Sequence, residues 1–113
     1  MIKKKRKTFL GDFELTVLLG ILRLGDEAYG AEVLREIEQR TGRSVQGGAL
    51  YITLDRMESK GFIKSQLGDP SPNRGGRPRR YVNVTTKGFT AVRESRDALL
   101  SMMGGLDAMF RQQ

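Results

Sequence analysis

Between Gly68 and Arg80 the chain reads GDPSPNRGGRPRR, where four arginines, Arg74, Arg77, Arg79 and Arg80, gather against one acid, Asp69. Guanidinium groups concentrated in this way can pair with phosphate oxygens, or enter a narrow minor groove where the negative potential is enhanced. Gly68, Pro70, Pro72, Gly75, Gly76 and Pro78 are too many breakers for anything but a loop. A plain solvated loop is the alternative. Bond-making chemistry has far fewer candidates. The chain has no Cys and no His, which removes disulfides, Cys-based zinc sites, thiol nucleophiles and imidazole acid-base schemes. Asp26 and Glu27 form the only adjacent acidic pair, and helical neighbours one apart point to different faces, which disfavours a two-carboxylate metal site. No P-loop or nucleophile elbow is present, and Gly47-Gly48 lacks the strand and spacing of a dinucleotide fold. Binding is expected, without catalysis and without a cofactor.

The elements flanking the arginines show what they would serve. Residues 62–67 and 79–84 read as strands, with Ile63, Leu67 and Tyr81 supplying apolar side chains to the helices, so the arginine loop tips a hairpin. Upstream, GALYITLDRMESKG predicts a helix over 47–60 that Gly61 ends. Leu50, Leu54 and Met57 share its core face, because positions three and four apart stack above one another. The opposite face carries Gly48, Ile52, Asp55, Arg56 and Ser59, with Tyr51 and Thr53 on the flanks. Such a surface suits a DNA groove: Arg56 can pair with guanine or phosphate, Tyr51 can reach a phosphate oxygen and Ile52 can lie against a thymine methyl. Alternatively, Tyr51 caps the edge of the core and Ile52 packs under the hairpin.

Two further helices precede this unit. Residues 12–24 are apolar nearly all round, with Phe13, Val17 and Ile21 in one stripe and Leu15, Leu18, Leu19 and Leu22 in another. A helix of that kind must be covered on both sides. Gly25-Asp26 breaks it, and a second helix from near Ala28 to Thr41-Gly42 carries Val33, Leu34 and Ile37 at helical spacing. Three helices and a two-stranded hairpin in this order predict a mainly α, winged helix-turn-helix fold. Thr85 or Thr86 can cap a final helix, along which Phe89, Val92, Leu99, Met103, Leu106 and Phe110 recur at three- and four-residue steps once Arg96 is counted. That seam suits a two-fold dimer contact, joined by Leu15 and Leu19 of the first helix. Folding back on its own domain is the alternative. Gly104-Gly105 either kinks or ends this helix.

The composition agrees. At 113 residues one domain is expected, and 20 Lys plus Arg against 13 Asp plus Glu leave a net charge of +7. Such a balance favours nucleic acid, acidic lipid or acidic protein as a partner. Lys3 to Lys7 are five consecutive cations, a basic arm in which Lys4, Lys5 and Arg6 can follow a phosphate backbone or remain a solvated tail. The arm followed by LTVLLGIL is reminiscent of a secretory signal, yet Asp12 and Glu14 interrupt it and Arg23 ends the apolar run after eight residues. Neither export nor a membrane partner is expected, and the location read from the chain is cytoplasmic.

The segments LGDFELTVLLGILRLGDEAYGAEVLREIEQRTG, GALYITLDRMESKGFI and GGRPRRYVNVTTKG together resemble the PadR family of bacterial transcriptional regulators. The resemblance runs from Leu10 to about Glu94. Ala28-Tyr29-Gly30, Leu50-Tyr51, Leu54, Met57-Glu58, Gly75-Gly76-Arg77 and Tyr81 carry it. It implies a winged-helix homodimer on an inverted-repeat operator, usually a repressor released by a small molecule, in the short form with a single C-terminal helix. Gln46, Ile52 and Val82 depart from the family's frequent Ser, Pro and aromatic residue, which changes the helix cap and the DNA-facing surface. No Trp is present to stack on a flat effector, although Met and Phe side chains can line an apolar pocket at the dimer seam.

These readings divide the chain into a basic arm over 1–9, a DNA-binding domain over 10–84 and a dimerisation helix over 85–113. Double-stranded DNA, a second copy and a small-molecule effector are the expected partners. Tyr51, Ile52, Arg56 and Gly48 are assigned to the groove, and Arg74, Arg77, Arg79, Tyr29 and the N-terminal cations to phosphate or minor groove. A competing expectation keeps the fold but uses the seam and the first helix as a protein-interaction module with no specific DNA site.

Overall fold

A computed structural model describes residues 6–70 and 75–112. Helix α1 spans Asp12–Leu24, a single 3-10 turn follows at Gly25–Glu27, and α2 and α3 span Gly30–Thr41 and Gly47–Ser59. Strands β1 (Ile63–Pro70) and β2 (Pro78–Val84) form an antiparallel ribbon, and the chain closes with α4 (Thr86–Met103) and α5 (Asp107–Arg111).

One core joins these elements. Val17, Leu18 and Ile21 of α1, Val33 and Ile37 of α2, and Leu50, Leu54 and Met57 of α3 are buried together with Ile63, Val82, Ala91 and Val92. Leu18 thus belongs to the core and not to the outer stripe expected from the sequence, where Leu19 and Leu22 remain exposed. Thr53 is also buried, so it does not flank an outward face of α3. Glycines set the helix ends. Gly42 (φ 73°) closes α2 in the left-handed region, and Gly61 (φ 81°) ends α3 as expected, with Phe62 N–H bonded to the Met57 carbonyl and Gly61 N–H to that of Glu58.

The ribbon runs from Ile63 opposite Val84 to Leu67 opposite Arg80, then through an irregularity to Pro70 opposite Pro78. It is longer than the hairpin expected, and Gly68, Pro70 and Pro78 lie in strands and not in a loop. A two-stranded ribbon has free outer edges, so prolines without an N–H forfeit no ladder bond there. Leu67 is 68% exposed and does not pack on the helices; Val82 enters the core instead. Tyr81 is half-buried against Tyr29, where Val82 N–H donates to the Ala28 carbonyl at 2.9 Å and Tyr29 bridges Tyr81. The hairpin is thereby stitched to the start of α2.

Thr85 caps α4, its Oγ1 accepting from Gly88 N–H at 3.0 Å and donating to the Gly61 carbonyl at 2.6 Å. The buried Ser95 Oγ accepts from Leu10 N–H at 2.9 Å and donates to the Ala91 carbonyl at 2.7 Å, fastening the segment before α1 to α4. Gly104 stops α4, Gly105 (φ 84°) redirects the chain, and α5 follows. The C-terminal part is therefore two helices and not one. Leu106 and Phe110 lie off the α4 seam, on the far side of that break, because a residue in the left-handed region cannot continue the helix. Val92 is only 6% exposed; it serves the protomer's own core and has little surface left for a second copy.

Gly88 is a fixed point of this packing, since a Cβ there would lie 2.1 Å from the Phe62 carbonyl oxygen. Gly88→Ala should cost about 1–3 kcal/mol through overpacking, read as a lower denaturation midpoint with an unchanged slope.

Candidate nucleic-acid interface

Helix α3 buries one side, so the other is presented outward. Gly48, Ile52, Asp55, Arg56 and Ser59 are all exposed, and Ile52, 62% exposed, does not pack under the hairpin. Tyr51 is half out: its ring leans on the N-terminus of α2, and a Cβ at Gly30 would lie 2.4 Å from the Tyr51 Oη. Only glycine at position 30 lets that hydroxyl sit where it does. Beside it, the Tyr29 ring meets Tyr81 edge-on at 5.5 Å, and the Arg79 guanidinium lies over the Tyr29 ring at 4.3 Å. A hydrogen bond with the Tyr81 side chain raises the Arg79 pKa further, so its charge is permanent.

A shallow concavity between the start of α2, α3 and the ribbon gathers Tyr29, Gly30, Tyr51, Arg77 and Arg79, with Arg35 at its edge. Four side chains that the sequence placed in DNA contact, Tyr29, Tyr51, Arg77 and Arg79, are thus brought to one surface. Arg56, Ile52 and Gly48 stand on the adjoining outward face of α3. Arg6 is exposed just before the segment held by Ser95 and does not line the concavity. Lys4, Lys5 and Arg74 lie outside the described residues. Hydroxyls and guanidinium groups converge there around the Glu32 carboxylate, which accepts from the Tyr29 hydroxyl at 3.4 Å and pairs with Arg35.

Sequence reasoning missed the role of two cations. Arg35 forms an ion pair with Glu32 at 3.0 Å, which from sequence is an ordinary surface pair. Arg80 does not belong with the loop arginines. It bonds Asp55 at 2.9 Å and Glu58 at 3.0 Å through its terminal nitrogens and the Ser65 Oγ at 2.9 Å through Nε. The signal was available, since neighbouring strand residues point to opposite faces: Arg79 faces Tyr29 and Arg80 faces α3. Partial burial works against the Arg80 charge, but the hydrogen bonds to Glu58 and Asp55 outweigh it and raise its pKa. The Ser65 hydroxyl and then Arg80 hold the Glu58 carboxyl below the usual carboxylate range.

The apolar seam expected at a dimer contact is also visible. Leu15, Leu19 and Leu22 of α1 face Phe89, Val92, Leu99, Leu100 and Met103 of α4 across a groove of about 420 Å³. Leu106, just before α5, and Phe110 within it are exposed and outside that groove. No helix among the described residues is long and apolar enough to cross a membrane.

Residues 18–94 match the model of the Transcriptional regulator PadR-like family. The chain belongs to that family. It is accordingly a DNA-binding transcriptional regulator and not an enzyme. Its structure is similar to that of a PadR-like transcriptional regulator from Bacillus cereus, with a TM-score of 0.67 at 25% identity over 89% of this chain and 92% of the other. A PadR family regulator from Clostridium difficile superposes with a TM-score of 0.65 at 24% identity, covering 85% of this chain and 97% of that one. Another, from Eggerthella lenta, gives 0.62 at 25% identity over 89% of both chains. No curated protein matches the chain.

The depressed Glu58 carboxyl makes the attachment of the ribbon to α3 acid-sensitive. Its folded pKa lies below its unfolded one, so the contribution is complete above the unfolded value of about 4.3 and disappears as pH falls through the folded value. Thermal melts should show Glu58→Gln less stable than the parent near neutrality, with the two converging in acid.

Proposed function

We propose that this PadR-family chain is a sequence-specific repressor, acting in the cytoplasm as a homodimer on an inverted-repeat operator. The convergence of Tyr29, Tyr51, Arg77 and Arg79 on one concavity beside the exposed face of α3 carries the reading. In it, α3 enters the major groove, where Ile52, Arg56 and Gly48 meet base edges. Tyr29, Tyr51, Arg77 and Arg79 bind phosphate or minor groove, together with Arg74 of the wing and Lys4, Lys5 and Arg6 of the arm.

Residues 10–84 form the DNA-binding unit in this reading, and 85–113 the dimerising part. The open groove between α1 and α4 supports the dimer, because Leu19, Leu22, Phe89, Leu99, Leu100 and Met103 are large apolar side chains left exposed in the protomer. A second copy covering Leu15, Leu19, Phe89, Leu99 and Met103 removes that surface from water. Space enclosed at the same seam suits a small apolar effector, whose binding would release the operator by changing how the two reading helices are spaced.

Selection of bound duplexes from a random pool tests the symmetric dimer. A palindrome with half-site centres about 10 bp apart, or a multiple of that, is expected; a single asymmetric site would contradict it. Arg77→Ala should weaken binding to all duplexes and lower the salt slope by about 0.9. Arg56→Ala should instead relax preference at one base position, worth about 1–3 kcal/mol of discrimination. Equal losses on operator and random duplex from both variants would refute this division of roles.

A further inference from the structure

Arg80 sits among the arginines of the ribbon, yet all three of its guanidinium nitrogens are engaged within the protein, by Asp55, Glu58 and Ser65. Ser65 also donates to Glu58, which ties the first strand into the same cluster. Asp55 and Glu58 are three residues apart and therefore neighbours on one side of α3. Their side chains remain 70% and 43% exposed, against 25% for that of Arg80. Two uncompensated carboxylates on the helix that approaches a polyanion would repel it, and like charges brought together at an interface are strongly unfavourable. Were Arg80 to turn toward a phosphate, it would gain one contact and uncover both acids.

We propose that Arg80 serves duplex binding by pairing with Asp55 and Glu58 at once, offsetting one of their two charges and occupying their oxygens, while making no phosphate contact itself. The inference rests on the DNA-binding reading above. It divides the wing arginines by partner: Arg79 lies over the Tyr29 ring, whereas Arg80, which also borders the concavity, is tied to the acids of α3. The consequence is a coupling. The acids repel a duplex less while Arg80 pairs with them than once it is gone, so their effects on affinity cannot be independent.

A four-variant cycle, read by fluorescence anisotropy on a labelled random-sequence duplex at low ionic strength, tests this. The variants are the parent, Arg80→Gln, the pair Asp55→Asn with Glu58→Gln, and all three changes together. Arg80→Gln should weaken binding roughly tenfold. Neutralising the two acids should alter the parent by no more than about twofold, and the triple variant should return to within about twofold of the parent. If instead the fold-changes of Arg80→Gln and of the acid pair simply multiply in the triple variant, or if Arg80→Gln has no effect, Arg80 does not play this part. A parent that binds no duplex refutes the DNA-binding reading itself, a different outcome from multiplicative losses in a parent that binds. Circular dichroism verifies that each variant folds; should Arg80→Gln not fold, Arg80→Met takes its place. That variant keeps the apolar stem and removes the charge, and the same non-additivity is expected of it.

Discussion

Everything on the outer surface depends on how α3 is anchored inside. Leu50, Leu54 and Met57 recur at three- and four-residue steps and are each almost wholly buried against α1, α2 and the ribbon. Each buried side chain of this size contributes roughly 1.5–3 kcal/mol, and their spacing fixes the rotation of the helix about its own axis. With that rotation set, Gly48, Ile52 and Arg56 have no orientation available other than outward. The reading surface is the complement of the core face.

A second constraint fixes the ribbon relative to that helix. Two-stranded ribbons are marginal on their own, and here three different attachments hold one. The Ala28 carbonyl takes the Val82 N–H, the Tyr29 and Tyr81 rings meet edge-on, and Arg80 bonds two acids of α3. The attachments lie on both faces of β2, so the ribbon is held from both sides near its base. Exposed ion pairs of this kind contribute little to global stability one at a time. Their importance lies in orientation, because a wing that swings relative to α3 cannot hold its arginines in a fixed relation to a groove.

The remaining surface has a different character. Helix α1 is covered on one side by α2, α3 and β2, but its Leu19 and Leu22 edge faces α4 across an apolar groove. Helix α4 shares in the core through Ala91, Val92 and Ser95, so it is continuous with the preceding helices and ribbon and not a separate appendage. The Ser95 hydroxyl ties α4 directly to Leu10, just before α1.

Much of this was legible in the sequence, because the relevant rules are local. Helical spacing located α1 and α3 and the core face of α3, Gly61 marked its end, Thr85 or Thr86 offered a cap for the helix after the hairpin, and the breakers with their arginines marked the wing. Charge and the lack of Cys and His directed the reading toward nucleic acid and away from catalysis. Pairwise geometry between distant segments was not legible. Nothing in the composition of the loop says that Arg80 finds Asp55 and Glu58, that Gly30 makes room for Tyr51, or that Val82 rather than Leu67 reaches the core. The break at Gly104-Gly105 likewise divides a seam that looks unbroken as a pattern of apolar residues. A sequence determines which faces must be buried through periodicities of 3.6 and 2 residues. Which buried face meets which, and which charge is neutralised on the way, is decided only when segments far apart in the chain compete for the same space.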